Sequence, residues 1–217
     1  MSQEIIITTE QLKRMGGLLK EDNNIRAYSF DWDDNILKMP TKIKMLVKTN
    51  DGWEPIEVGT EEFALIRDNK NYKLSDGAFD NFISEESFLV DLEEALSTGA
   101  FAPSFNKFKE ALVYANPISI ITARGHDPRV LRKGMDLVIS STFTEDELSK
   151  MLDNIQQSYP ELDGEPPEVV LKNYLDSQEY HTVTSKIFAD RFGLEVGSAA
   201  NPEENKKIAL RDYVTKI

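Results

Sequence analysis

Residues 26–37 read Arg-Ala-Tyr-Ser-Phe-Asp-Trp-Asp-Asp-Asn-Ile-Leu. The run Arg26 to Asp31 is apolar and aromatic, follows the turn formers Asn23-Asn24, and ends in three acids and an amide. That pattern predicts a buried strand delivering carboxylates at its carboxyl end.

Working outward, the next strand signal is Pro117 to Ala123, short and β-branched. A helix precedes it, with Ser104 as N-cap and Phe105, Phe108, Leu112 and Ala115 at helical spacing. Asn116-Pro117 ends that helix, because the residue before proline avoids the α region. After the strand, Asp127-Pro128 reads as an N-cap with proline at the first helical position, and Leu131, Met135 and Val138 share a face. Strand, helix, strand, helix predicts a mostly parallel α/β sheet.

Between the two strands lies a long insertion. Lys42 to Thr49 and Trp53 to Val58 predict a hairpin across Asn50-Asp51-Gly52. Ser84 caps a helix carrying Phe88, Leu89, Leu92, Ala95 and Leu96. Farther on, Thr144 and Glu147 form a capping box for a helix with Leu148, Met151, Leu152 and Ile155 inward. The acidic stretch Thr144 to Leu171, broken by Pro160, Gly164, Pro166 and Pro167, reads as a solvated surface excursion. Tyr180 to Val183 suits a third strand, and Ile187, Phe188 and Phe192 a short helix stopped by Gly193. Pro202 to Ile217 predicts a final helix with Leu210, Tyr213, Val214 and Ile217 on its apolar face.

Composition narrows the chemistry. The 217-residue chain has no cysteine, which excludes disulfides, thiolate metal centres and a cysteine nucleophile. Its two histidines, His126 and His181, exclude a multi-histidine metal site within one chain and leave a Ser-His-Asp triad few candidates. With 25 Lys+Arg against 38 Asp+Glu, the formal net charge of −13 argues against general nucleic-acid binding, polynucleotide end repair included. Neither a cleavable leader nor a membrane-length apolar run is evident, so a cytoplasmic protein is expected. The available tools are carboxylates, hydroxyls, lysines and a hard cation.

Three readings compete for the acids at 31–34. Asp and Asn are ordinary turn formers, so a plain loop is one. Asp31-x-Asp33-x-Asn35 also fits the opening of an EF-hand loop, but Ile36 stands where glycine is needed and Lys42 where a bidentate glutamate is needed. The third reading is chemical. Ligands of open α/β sheets bind beyond the carboxyl ends of the strands, and two acids two apart in an extended segment point to one side. One carboxylate can then act as nucleophile while the other exchanges a proton, and the pair attracts Mg²⁺.

The segment Tyr28 to Leu37 resembles the first motif of the haloacid dehalogenase-like (HAD) phosphohydrolases: an apolar strand, then Asp-x-Asp. Ile120-Ile121-Thr122-Ala123-Arg124-Gly125 is similar to the second motif, a Thr or Ser ending the next core strand. Asn205-Lys206-Lys207-Ile208-Ala209-Leu210 is similar to the third, a lysine near the start of a later helix. The resemblance implies a three-layer, Rossmann-like HAD core over residues 26–217, after an N-terminal segment 1–25, with a modest cap inserted at about 40–103. It implies a Mg²⁺-dependent phosphatase of a small phosphorylated metabolite or nucleotide. Asp31 would be the nucleophile and Asp33 the acid and base. Mg²⁺ would be held by the Asp31 carboxylate and the Asp33 carbonyl, and Thr122 and Lys206 would bind phosphoryl oxygens. Arg124 and Lys207 would touch substrate; Lys207 and Lys186 remain alternatives to Lys206 as the motif lysine. His126 is a further loop candidate.

The family's fourth motif, acids after a further core strand, would follow the lysine helix. Its expected place is beyond Ile217. Alternatively, the run Glu4 to Thr8 fills the sheet edge and an acid such as Asp127 helps hold the metal. A non-catalytic HAD-like binding protein is the rival expectation.

Overall fold

The computed structural model describes residues 3–5, 26–195 and 201–217. In chain order the strands are β1 (Gln3–Ile5), β2 (Ala27–Phe30), β3 (Ile43–Thr49), β4 (Gly52–Val58), β5 (Tyr72–Leu74), β6 (Ile118–Thr122) and β7 (Glu179–Thr182). The α-helices are α1 (Thr60–Ile66), α2 (Asp80–Ile83), α3 (Glu85–Ser97), α4 (Phe105–Val113), α5 (Pro128–Thr142), α6 (Glu145–Ser158), α7 (Pro167–Asp176), α8 (Lys186–Phe192) and α9 (Pro202–Lys216).

The main sheet has the order β1-β2-β6-β7. β2, β6 and β7 run parallel, with Phe30 opposite Ile120 and Thr122 opposite Thr182. β1 lies antiparallel on the outer edge of β2, pairing Gln3 with Ser29 and Ile5 with Ala27. Part of the Glu4 to Thr8 run therefore covers the edge that the sequence left open; residues 6–8 lie outside the described residues.

Side-chain alternation along the strands builds a layer on each face. Tyr28, Phe30, Ile118 and Ile120 enter one large apolar cluster with residues of α3 to α7. Ile121 points the other way, into a smaller cluster with Val183, Phe188 on α8 and Ala209 on α9. The result is a mixed α/β fold in which a parallel three-strand sheet has helices on both sides. Where α3 meets α5, a Cβ on Gly134 would stand 3.1 Å from both Leu92 and Phe88, so the absent side chain permits the approach.

Local signals behave as their chemistry requires. Thr144 and Glu147 make both halves of the capping box of α6. Asp127 accepts from the Arg129 N–H, with Pro128 at the first turn of α5. Gly193 ends α8 in the left-handed conformation. Other expectations shift. Ser104 makes no side-chain cap; its backbone N–H instead bonds the Asn35 carbonyl at 2.9 Å. Its helix stops at Val113, earlier than Asn116-Pro117 demands, and Ala115 takes a positive φ. In the hairpin, Gly52 pairs with Thr49 as the first residue of β4, leaving Asn50-Asp51 as the turn.

Residues 40–103 divide between two packing clusters. A second, antiparallel sheet of order β4-β3-β5 has its own cluster of Ile43, Met45, Val58, Ala78 and Phe82. α3 falls within the expected insertion but buries Phe88, Leu92 and Ala95 in the main cluster. α9 is also rotated from its expected face. Its buried residues are Asn205, Ala209 and Tyr213, whereas Leu210, Val214 and Ile217 are only partly covered. Asn205 enters the interior because its amide donates to the Val183 carbonyl at 2.8 Å.

Candidate active site

Asp31 follows the last residue of β2, and Thr122 is the last residue of β6. Between Asp31 and Leu37 the chain curls tightly. Asp34 takes φ +57°, a conformation that Asp tolerates better than most residues. The Trp32 carbonyl accepts from the Ile36 and Leu37 N–H groups, and the Asp34 N–H returns to the Leu37 carbonyl at 2.8 Å. This curl turns Trp32 fully inward against Phe88, with ring centroids 5.4 Å apart. Ile36 and Leu37 are buried with it, and the Ile36 and Asn35 carbonyls accept from Ala102 and Ser104. The alternating acids are thereby left at the sheet's end while the apolar residues anchor the loop.

Each acid meets one cation. Lys206 Nζ on α9 is 2.6 Å from Asp31 Oδ2, and the other Asp31 oxygen accepts from the Trp32 N–H at 2.8 Å. Arg124 grips Asp33 with two bonds, Nη2 to Oδ1 at 2.7 Å and Nε to Oδ2 at 3.0 Å. The Thr122 hydroxyl donates to Asp33 Oδ2 at 3.3 Å. Thus Asp31, Asp33, Thr122, Arg124 and Lys206, expected from sequence to act together, converge. Lys207 does not join them: it is exposed and pairs with Glu204 at 2.6 Å. Lys186 is held by Asp190, also at 2.6 Å.

Arg124 departs from the expectation of a substrate-facing loop residue. Its side chain is fully buried, with its guanidinium 5.0 Å from the ring centres of both Phe82 and Phe88. Nη2 also donates to the Thr41 hydroxyl at 2.7 Å, and that hydroxyl donates to Asp91. A guanidinium tolerates such a place because its flat faces stack on rings while Nε and Nη2 find acceptors; the buried Nη1 has none. Thr41 and Asp91 are site-supporting residues with no signal in the sequence. Asp34 is likewise engaged, accepting from the Thr60 hydroxyl at the start of α1.

Burial raises the Asp31 carboxyl above its usual range, against the opposing pull of Lys206; the neighbouring Asp33 pushes in the same direction as burial. Burial would lower Lys206, but Asp31 wins and raises it. Each partner thus favours the charged form of the other, and burial opposes both. His126, its ring tilted against Phe88 with centroids 4.7 Å apart, is pushed below its usual value, chiefly by burial.

The donor chemistry suits a hard cation in a limited way. Asp31 offers a carboxylate and Asp33 a main-chain carbonyl, and Mg²⁺ accepts one or two protein oxygens when water and phosphate complete its shell. Among the described residues, no third carboxylate gathers with them; the one group of acids and histidine with metal-like spacing is Glu179, His181 and Asp212. Asp127 does not join the pair as an extra acid: among the described residues it belongs to no group with metal-like spacing, and both its oxygens are bonded to Arg129. A separate cleft of about 340 Å³ lies between Thr41, Lys42 and Glu57 on one side and Glu86, Val90 and Asp91 on the other. Its acids outnumber its single lysine, so it is no seat for a phosphate.

The chain matches no protein-family model, no curated protein and no solved structure. Among the described residues, no helix is long and apolar enough to cross a membrane.

Proposed function

We propose that this protein is a HAD-like phosphohydrolase that cleaves a phosphomonoester of a small metabolite or nucleotide through an aspartyl-phosphate. The observation that carries the reading is the ion pair between Asp31 and Lys206 at the carboxyl end of a parallel sheet, with Asp33 and Thr122 alongside. Attack of a carboxylate on a phosphate dianion is opposed by like charge, so a nucleophile needs a fixed cation beside it. Lys206 supplies that charge.

In the proposed step, an Asp31 oxygen forms a bond to phosphorus as the ester P–O bond breaks. For the step to balance, Asp33 enters protonated and gives its proton to the leaving oxygen; ionised thereafter, it takes a proton from the water that attacks the acyl phosphate, releasing phosphate and regenerating Asp31. Asp33 would perform the proton exchange. An ionised carboxylate offers about four acceptor positions, and Arg124 and Thr122 use three of Asp33's. The fourth position, on Oδ1, is where the proton would be carried to the leaving oxygen and later received from water. Arg124 thus orients Asp33 instead of touching substrate. Mg²⁺, held by the Asp31 carboxylate and the Asp33 carbonyl, would neutralise the phosphoryl oxygens. The same reading takes a small phosphorylated substrate and a cytoplasmic setting, and the −13 charge disfavours a general nucleic-acid partner.

The test is phosphate release from p-nitrophenyl phosphate with Mg²⁺, for wild type and Asp31→Asn, with and without EDTA. Release in wild type, lost in the variant and lost with EDTA, supports the reading. Equal rates in both proteins refute the nucleophile, and activity that survives EDTA refutes the metal.

The second reading is a non-catalytic HAD-like binding protein. The observation favouring it is that Arg124 occupies both Asp33 oxygens while no third acid joins the pair among the described residues. Wild-type protein that binds inorganic phosphate but turns over no ester would select it.

A further inference from the structure

At the opposite end of α9 from Lys206 lies a second polar cluster that the proposed chemistry does not use. Glu179 and His181 stand two apart on β7, so their side chains share the sheet face that α9 covers. Asp212 comes from α9 itself, and the three offer ligand atoms all within 4.8 Å of one another. His181 is buried, its side chain only 2% exposed, and its Nε2 has no hydrogen-bond partner. That nitrogen is 3.5 Å from Glu179 Oε2, too long for a good hydrogen bond and aimed into the carboxylates.

We propose that Glu179, His181 and Asp212 form a metal site for a zinc-class divalent transition ion, separate from the Asp31 centre. One imidazole and two carboxylates, with an open position for water, are a donor set such an ion accepts. Metal–ligand bonds of about 2.1 Å in a tetrahedron place neighbouring ligand atoms about 3.4 Å apart, close to the observed 3.5 Å between His181 and Glu179. Burial lowers the His181 pKa to about 4, which leaves the imidazole unprotonated and ready to ligate.

Two side-chain cations currently lie against the acids. Lys216 Nζ is 2.6 Å from Glu179 and 3.1 Å from Asp212, and Arg191 is 2.7 Å from Asp212. Lys216 bridges the carboxylates much as a bound ion would, so it is the internal competitor that entering metal must displace. Its flexible stem, 37% exposed, allows it to swing out. Once bound, the ion would clamp α9 to β7.

Zinc titration of the full chain in excess Mg²⁺ tests this, read by nitrogen-edited NMR of the imidazoles. With only two histidines, His126 serves as the internal control. The expected result is that one equivalent of zinc shifts the His181 ring signals and leaves those of His126 in place. Glu179→Gln and Asp212→Asn should each weaken binding by roughly tenfold or more, and Lys216→Gln should tighten it by a similar factor. Gain of affinity in Lys216→Gln cannot come from misfolding. Unchanged His181 signals at saturating zinc overturn the proposal. So does an affinity indifferent to Glu179→Gln and Asp212→Asn, or one no tighter in Lys216→Gln. None of these readouts depends on phosphate release, so the two proposals fail separately.

Discussion

Lys206 Nζ and Asp31 Oδ2 stand 2.6 Å apart, joining the start of α9 to the end of β2. Lys206 is the half-covered lysine of an adjacent pair; Lys207 faces solvent. Replacing Lys206 by Met should lower phosphate release about 100-fold, the scale for losing a fixed transition-state cation. Lys207→Met should stay within about twofold, as surface changes do. Steady-state rates of the two variants side by side check the assignment; equal losses would refute it.

Asp31→Asn removes the proposed nucleophile while keeping a polar group beside Lys206. Phosphate release should fall by about 1,000-fold or more. Mass spectrometry after acid quench should detect a phosphorylated wild type and an unmodified variant.

Arg124→Met tests the buried clamp. It leaves the Asp33 carboxylate, whose side chain is 13% exposed, without its guanidinium. Breaking such a pair from one side costs about 3–5 kcal/mol. Urea denaturation should show a loss of this order, and Arg124→Lys should recover only part of it because an ammonium cannot make the two-pronged contact. A loss under about 1 kcal/mol would mean that the clamp is not a stabilising element.

His181 sets a pH dependence. Its pKa falls from 6.5 unfolded to about 4 folded, chiefly because burial disfavours the charged ring. The neutral form is favoured in the fold, so its contribution is complete above pH 6.5 and is lost as pH drops toward 4. That interval corresponds to roughly 3 kcal/mol. Denaturation between pH 7.5 and 4.5 should show stability falling with pH, with a shallower slope in His181→Gln. His126, also lowered by burial, adds to the slope in the same direction and remains in the variant.

Much of this architecture was legible because its signals are local. The Thr144–Glu147 box, the Asp127-Pro128 start and the Gly193 stop are contacts within four residues, so spacing alone reveals them. The meeting of Asp31, Asp33, Thr122 and Lys206 was readable only through resemblance to a motif set. What escaped the sequence depends on distant partners. Asn205 takes an interior position on α9 by bonding Val183, so counting apolar residues selected the neighbouring face. Arg124 looked like a loop residue because Phe82, Phe88, Thr41 and Asp33, which make its burial tolerable, lie far back along the chain. The helix Glu85–Ser97 was assigned to the insertion by order, while packing gives it to the main core.

The two ion pairs also determine when the site can exist during folding. Asp33 must find a partner 91 residues away, and Asp31 one 175 residues away. Closing loops of that size costs entropy that local helices never meet, so such contacts come late. The helices can form early, but Asp31 acquires its cation only once the final helix has docked. Recovery of phosphate release after refolding should therefore lag the recovery of helical circular dichroism, and it would report the last assembly event in the chain.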